Sequence, residues 1–134
     1  METRCRDEVI ELHRFFQDWF NAVLEPDGFS RFTGVMADGF VIVTPDGGLV
    51  GLAELSDGLR GAHGRWQGEG RIWIEGFRLH RVEGDVAVVT YEEWQDEGGE
   101  VKGRLSTALF RRREGTPNGV EWLHLHEVWL PAGD

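Results

Sequence analysis

From Gly64 onward the chain changes its rhythm: apolar residues recur at every second position through four long runs, Arg71 to Val82, Asp85 to Asp96, Val101 to Arg113 and Val120 to Leu130. A period of two is the pattern of a β-strand, whose successive side chains point to opposite faces. The links are Glu83-Gly84, Glu97-Gly98-Gly99 and the Glu114–Gly119 hexapeptide. Links this short, each with glycine, join strands that pair as antiparallel neighbours. Strands in globular proteins usually run about five or six residues, and these runs hold ten or more. Long twisted strands curl, and a curled sheet wrapped over other elements encloses a hollow.

What precedes the strands must fill or line that hollow. Between Asp7 and Leu24 the apolar residues Val9, Leu12, Phe16, Trp19, Phe20 and Val23 are spaced by threes and fours. This spacing predicts a helix, stopped by Glu25-Pro26-Asp27-Gly28 because proline and glycine cannot continue it. Phe29, Phe32, Val35 and Met36 mark a second short helix, and Asp38-Gly39 reads as a turn. Phe40 to Thr44 is β-branched and bounded by turn formers, hence a strand. Leu49-Val50 makes a short return strand, and Leu52, Leu55 and Leu59 space as a third helix ending at Gly61. Helices segregated from a meander define an α+β fold, a curved antiparallel sheet forming a cone around three N-terminal helices. Residues 1–134 are expected to form a single domain, since that length suits one core.

The formal charge is −10, and the longest basic run, Arg111 to Arg113, is followed at once by Glu114. Such a surface repels phosphate backbones, so nucleic acid is not an expected partner. No apolar stretch approaches the ~20 residues of a membrane helix, and the N-terminus has no apolar signal core. A cytoplasmic protein without a membrane partner is expected. The lone cysteine, Cys5, excludes an internal disulfide and a thiolate-rich metal site. It falls in a polar segment expected to fray.

The element order and several local words resemble the nuclear transport factor 2-like (SnoaL-like, cystatin-like α+β) superfamily. The residues that carry the resemblance are the stretch Met36 to Gly47, with Ala37-Asp38 before a strand and Pro45 after it, and the ending Trp122-Leu123-His124-Leu125-His126. That ending is also similar to the association domain of calcium/calmodulin-dependent kinase. The scaffold hosts isomerases, cyclases, dehydratases, assembly modules and binding domains, so the resemblance implies a fold and leaves the function open. One activity is tested residue by residue. Ketosteroid isomerases of the superfamily carry a base carboxylate before the proline that follows the first strand, and Thr44 stands there. Their oxyanion-binding tyrosine matches Phe20. Threonine is no base at neutral pH and phenylalanine has no hydroxyl, so that reaction is not expected.

The resemblance places one face of the first strand inward, with Phe40, Ile42 and Thr44, and a pocket completed by Phe16, Phe20 and Phe32. Trp66, in the glycine-rich segment Gly61–Gly70, is expected near the mouth, on a mobile loop. A pocket of this kind suits a small hydrophobic molecule. Candidate proton carriers are His13, on the apolar stripe of the first helix, and His124 and His126 on the last strand. The last two share a strand face, with Cα atoms roughly 6.5 Å apart, but zinc would need a further protein ligand, so no metal is expected. Glu92 and Glu93 point to opposite faces of their strand, and a salt bridge with Arg104 or Arg78 is expected for the inward one. The face of the last strand that lines the pocket stays open between His124/His126 and Leu123/Leu125. Both faces are apolar, so one needs a cover beyond the helices, and a second copy of the chain paired through the sheet would supply it. No signature demands a cofactor. Three functions follow as expectations: a small-molecule-binding domain, a cofactor-independent isomerase, cyclase or dehydratase using a pocket histidine, and a homodimeric assembly module.

Overall fold

The computed structural model describes residues 1–131. The chain runs α1 (Glu2–Phe20), a 3₁₀ turn (Pro26–Phe29), α2 (Ser30–Thr33), β1 (Met36–Val43), β2 (Leu49–Gly51) and α3 (Leu52–Gly61). Four long strands follow, β3 (Gly70–Glu83), β4 (Val86–Glu97), β5 (Glu100–Arg112) and β6 (Val120–Trp129). All six strands form one curved, unclosed sheet in the order β2-β1-β6-β5-β4-β3. Among the described residues no helix is long and apolar enough to cross a membrane.

The α+β expectation holds, with one correction: the sheet is mixed. β3 to β6 form the antiparallel meander, but β6 then lies parallel to β1, with Ile42 opposite Leu125. Turn chemistry reports only on strands adjacent in sequence, so a pairing that closes over the whole chain leaves no local mark. The strands bend where the register slips, between Glu75 and Arg78, Leu79 and Arg81, Leu109 and Phe110, and Met36 and Val41. An extra residue on one strand kinks it and sharpens its twist. Asp38-Gly39 belongs to the last of these irregularities: it is a bulge inside β1, with Gly39 at φ +79°, and not a turn before it. Glycine takes this left-handed conformation without steric cost, and for that reason serves bulges as readily as turns.

The first helix starts earlier than its apolar stripe suggests and also ends earlier. Cys5, expected in a frayed terminus, is fully buried inside α1. Burial pushes its thiol up to about 11, so the group is no nucleophile. The helix stops at Ala22, which sits at φ +57° while its N–H bonds Trp19 O and that of Val23 bonds Asp18 O. That is a Schellman end, normally built on glycine.

α1 lies along the concave face of the sheet and is tied to it at both ends. Near its start Glu8, fully buried, accepts two hydrogen bonds from Arg31 (2.8 and 3.2 Å), one from Trp122 Nε1 (2.9 Å) and one from Asn118 (3.0 Å). A buried carboxylate is tolerated only when its lone pairs are used in this way. Near its end the Gln17 and Asn21 side chains bond the backbone of Ile72 and Gly70 on β3. Between the ties Val9, Leu12 and Trp19 pack with Phe29, Phe32, Val89, Phe110 and Trp122 as the core.

Candidate functional site: a cavity with a charged floor

The packing of α1 on the curved sheet leaves a cavity of about 410 Å³. Its walls come from α1 (Leu12, Phe16, Phe20), α2 (Phe32), β1 (Phe40, Ile42) and α3 (Leu55, Leu59). α3 has no fully buried residue, and its leucines are only half-covered, so it forms a loosely packed side of the opening.

Of the residues predicted to line a pocket, Phe16, Phe20, Phe32, Phe40 and Ile42 do border this cavity. Thr44 and Trp66 do not. β1 ends at Val43, and the Thr44 hydroxyl turns away to accept the Gly48 N–H (2.9 Å) in the β1–β2 turn. Trp66 is buried against Phe20 (4.8 Å between rings) and over Gly70, where even a Cβ would collide with its indole. The expected mobile loop is anchored: the N–H groups of Gly64 and Trp66 bond the Trp19 and Phe20 carbonyls (3.1 and 2.9 Å). A helix leaves its last carbonyls unpaired, and this loop satisfies that of Phe20 and adds a second bond to that of Trp19, which Ala22 already bonds. From this loop Ala62 and Arg65 reach the cavity, Arg65 with its guanidinium over Phe20.

The last strand is settled by register. Leu125 pairs with Ala108 and borders the cavity, as does Glu127 opposite Ser106. His124 and His126 alternate with them, opposite Leu109 and Thr107, on the outer face of the sheet. They do not border the cavity, so of the three candidate proton carriers only His13 reaches it.

The floor of the cavity is polar and buried. His13, Glu93 and Glu127 are 3%, 5% and 4% exposed. His13 Nδ1 donates to Val9 O (2.7 Å), and its Nε2 lies 3.0 Å from Glu93 Oε1. Gln95 donates to the other Glu93 oxygen. The salt bridge expected for Glu93 is therefore made with His13. Arg104 instead holds Glu127, Nη1 to Oε1, at 3.1 Å. Glu92, on the opposite face, accepts from Trp94 Nε1. Below the floor the Tyr91 and Ser106 hydroxyls, register partners, are buried without a hydrogen-bond partner among the described residues.

Proton affinities follow from these contacts. Burial alone would lower the His13 pKa, but the charge and hydrogen bond of Glu93 outweigh it and raise it. Burial would raise Glu93, and the adjacent imidazolium overrides this, pulling it down to about 2. The two form an ion pair, so His13 has no free nitrogen with which to act as a base. Glu127 goes the other way. Burial and the like charge of Glu93 raise it to about 7, against the pull of Arg104.

Sequence reasoning missed Gln95 and Glu127, and gave Arg104 only as a salt-bridge partner. Parity carried the signal: Val89, Tyr91, Glu93 and Gln95 occupy one face of β4, and Leu125 and Glu127 one face of β6. A charged residue on the buried parity of a strand is a better pointer to a site than a histidine on either face.

A helix laid in a curved, open sheet with a cavity between them is the architecture of nuclear transport factor 2-like proteins. One solved relative is a protein of that type and of unknown function from Pseudomonas aeruginosa, with a TM-score of 0.87 at 27% identity over 96% of this chain and 99% of its own. The association domain of the Caenorhabditis elegans kinase CaMKII shares the fold at a TM-score of 0.66 and 15% identity, covering 95% of this chain and 97% of its own. Within that class the chain belongs to the family described as sucrose-6-phosphate phosphohydrolase C-terminal, which matches residues 5–131. Sucrose-phosphatases 1 and 2 of Nicotiana tabacum are 28% and 27% identical to it over 127 residues, 92% of this chain. The chain spans about 30% of the length of these curated relatives.

Proposed function

We propose that this domain binds a small, mainly apolar molecule in the cavity, with its polar end on the His13–Glu93 and Arg104–Glu127 floor. The observation that carries the reading is the cavity itself: about 410 Å³, walled by four phenylalanines and closed at the bottom by a few buried polar groups. Ligand sites are built in this proportion. Because His13 is held at both nitrogens, binding is favoured over proton transfer by a pocket histidine. The substrate named for the relatives fits poorly here. A sugar phosphate would set a dianion beside two glutamates and most of its hydroxyls against phenylalanine, leaving them unpaired.

Gly58 offers the test. It borders the cavity from α3, and a side chain added there meets nothing within 4 Å. Gly58→Trp is expected to fold and to obstruct the opening. A hydrophobic ligand present at about 100 times its Kd should stabilise the wild type by about 2.7 kcal/mol, read as a rise in Tm, and should leave the variant unmoved. Equal shifts in both proteins would reject the cavity as the binding site.

A second reading, homodimerisation through the sheet, is compatible with the first. The outer face of the sheet carries Val41, Leu105, Leu109 and Val128 without any covering element among the described residues, and Leu105 and Val128 are 39% and 46% exposed. A second copy would bury this face together with His124 and His126. Sedimentation equilibrium at micromolar concentration should give twice the chain mass for the wild type and the single mass for Leu105→Glu. A wild type that sediments as one chain would end this reading.

A further inference from the structure

The ligand can be specified further, resting on the binding reading above. The floor holds four charged side chains that cancel in pairs, His13 with Glu93 and Arg104 with Glu127. The first pair is closed. Both nitrogens of His13 and both oxygens of Glu93 are engaged, the latter by His13 and Gln95. The second pair is half-open. Glu127 gives one oxygen to Arg104, and its other oxygen accepts no hydrogen bond among the described residues. Arg104 uses one Nη there, and its remaining N–H groups have no acceptor among the described residues. Both side chains border the cavity. A bound head group therefore meets a donor and an acceptor side by side, in a place whose net charge is already zero.

This pattern discriminates among head groups. A carboxylate could accept from Arg104 but would stand beside two glutamates, and the other lining arginine, Arg65, is held over Phe20, about two helical turns of α1 from His13. An ammonium could donate to Glu127 but would face Arg104 and His13. A buried charge without a counter-charge costs several kcal/mol, so both are disfavoured. A carbonyl uses the donor and strands the acceptor. A hydroxyl donates and accepts at once and adds no charge. The walls are mainly apolar, and beyond the floor only Glu54 and Arg65 of the lining residues carry polar side chains, so a ligand with many hydroxyls would leave most of them unpaired.

We propose that the cavity takes a neutral, largely hydrocarbon alcohol whose hydroxyl donates to Glu127 and accepts from Arg104.

The test holds the body constant and varies the head: naphthylmethanol, naphthoate, naphthylmethylamine and methylnaphthalene, titrated calorimetrically into the purified wild type at about pH 8, above the Glu127 titration, so that both floor pairs are charged. The alcohol is expected to bind at least about tenfold more tightly than each of the other three. In Glu127→Gln the floor gains one net positive charge, and naphthoate should improve relative to the alcohol by about tenfold or more. A charged probe binding the wild type as well as the alcohol, or methylnaphthalene matching it, overturns the inference while leaving the cavity a binding site. So does an unchanged preference in a folded Glu127→Gln. Should that variant fail to fold, the wild-type ranking decides alone. If none of the four probes binds, the binding reading fails and takes this inference with it.

Discussion

Glu127 has the least stable proton state of the groups in the cavity. It is nearly fully buried, it faces the negative charge of Glu93, and it keeps only Arg104 as a counter-charge. Its pKa rises from 4.5 to about 7, so the folded protein holds this proton more tightly than the unfolded chain does. The associated stability is complete below 4.5 and is lost as the pH rises through about 7. His13 acts in the same sense, because its raised pKa contributes stability below 6.5 that disappears as the pH climbs through the folded value. Glu93 opposes them. Its contribution is present above 4.5 and is lost as the pH falls toward about 2. Stability should therefore peak near pH 4.5, falling on the acid side through Glu93 and on the other side first through Glu127 and then, above 6.5, through His13 as well. Glu127→Gln should remove its own share of the decline between 4.5 and 7, at most about 3 kcal/mol. Urea unfolding at a series of pH values reads this directly. A variant whose decline is as steep as that of the wild type would show that Glu127 does not titrate there.

Elements show where sequence pattern suffices and where it does not. The four long strands and α3 follow from periodicity and turn residues alone, since both are local properties. The helix ends do not. Val23 continues the apolar spacing of α1 yet is 69% exposed, because the chain has already turned at Ala22. The turn is invisible in the sequence because alanine stands where glycine is expected. Ala22 holds a left-handed conformation that costs an L-residue roughly 1–2 kcal/mol, and glycine would give back about half of that through its more flexible unfolded state. Ala22→Gly should thus stabilise the protein by about 0.5–1 kcal/mol, seen as a higher Tm. A lower Tm would mean that packing of the methyl group, which a Cβ added at Gly64 would meet at 3.4 Å, outweighs the backbone strain. The cavity wall was legible from the apolar spacing of α1 and the alternation in β1. Its floor was not, because His13, Glu93, Arg104 and Glu127 come from four elements whose meeting depends on the curvature of the sheet. Trp66 misled for a related reason: a tryptophan in a glycine-rich segment looks exposed until the carbonyls at the end of α1 are seen to hold that segment.

On the scale of the molecule, the cavity and the uncovered outer face are the two sides of one sheet, and β6 serves both. It supplies Leu125 and Glu127 inward and His124, His126 and Val128 outward. Its position has a further effect. β6 is the last strand to leave the ribosome, yet it stands between β1 and β5, near the middle of the sheet. Until it arrives the nascent chain holds two separate ribbons, β1–β2 and β3–β4–β5, with no hydrogen bonds between them. Glu8 also waits for it, because Trp122 and Asn118 are among its donors. A chain cut after Glu114 should lack cooperative thermal unfolding altogether; a sharp transition in it would refute this. The keystone of the sheet is thus laid after its neighbours, and folding waits for it and proceeds at the slow pace of a fold whose decisive contacts join segments far apart in the sequence.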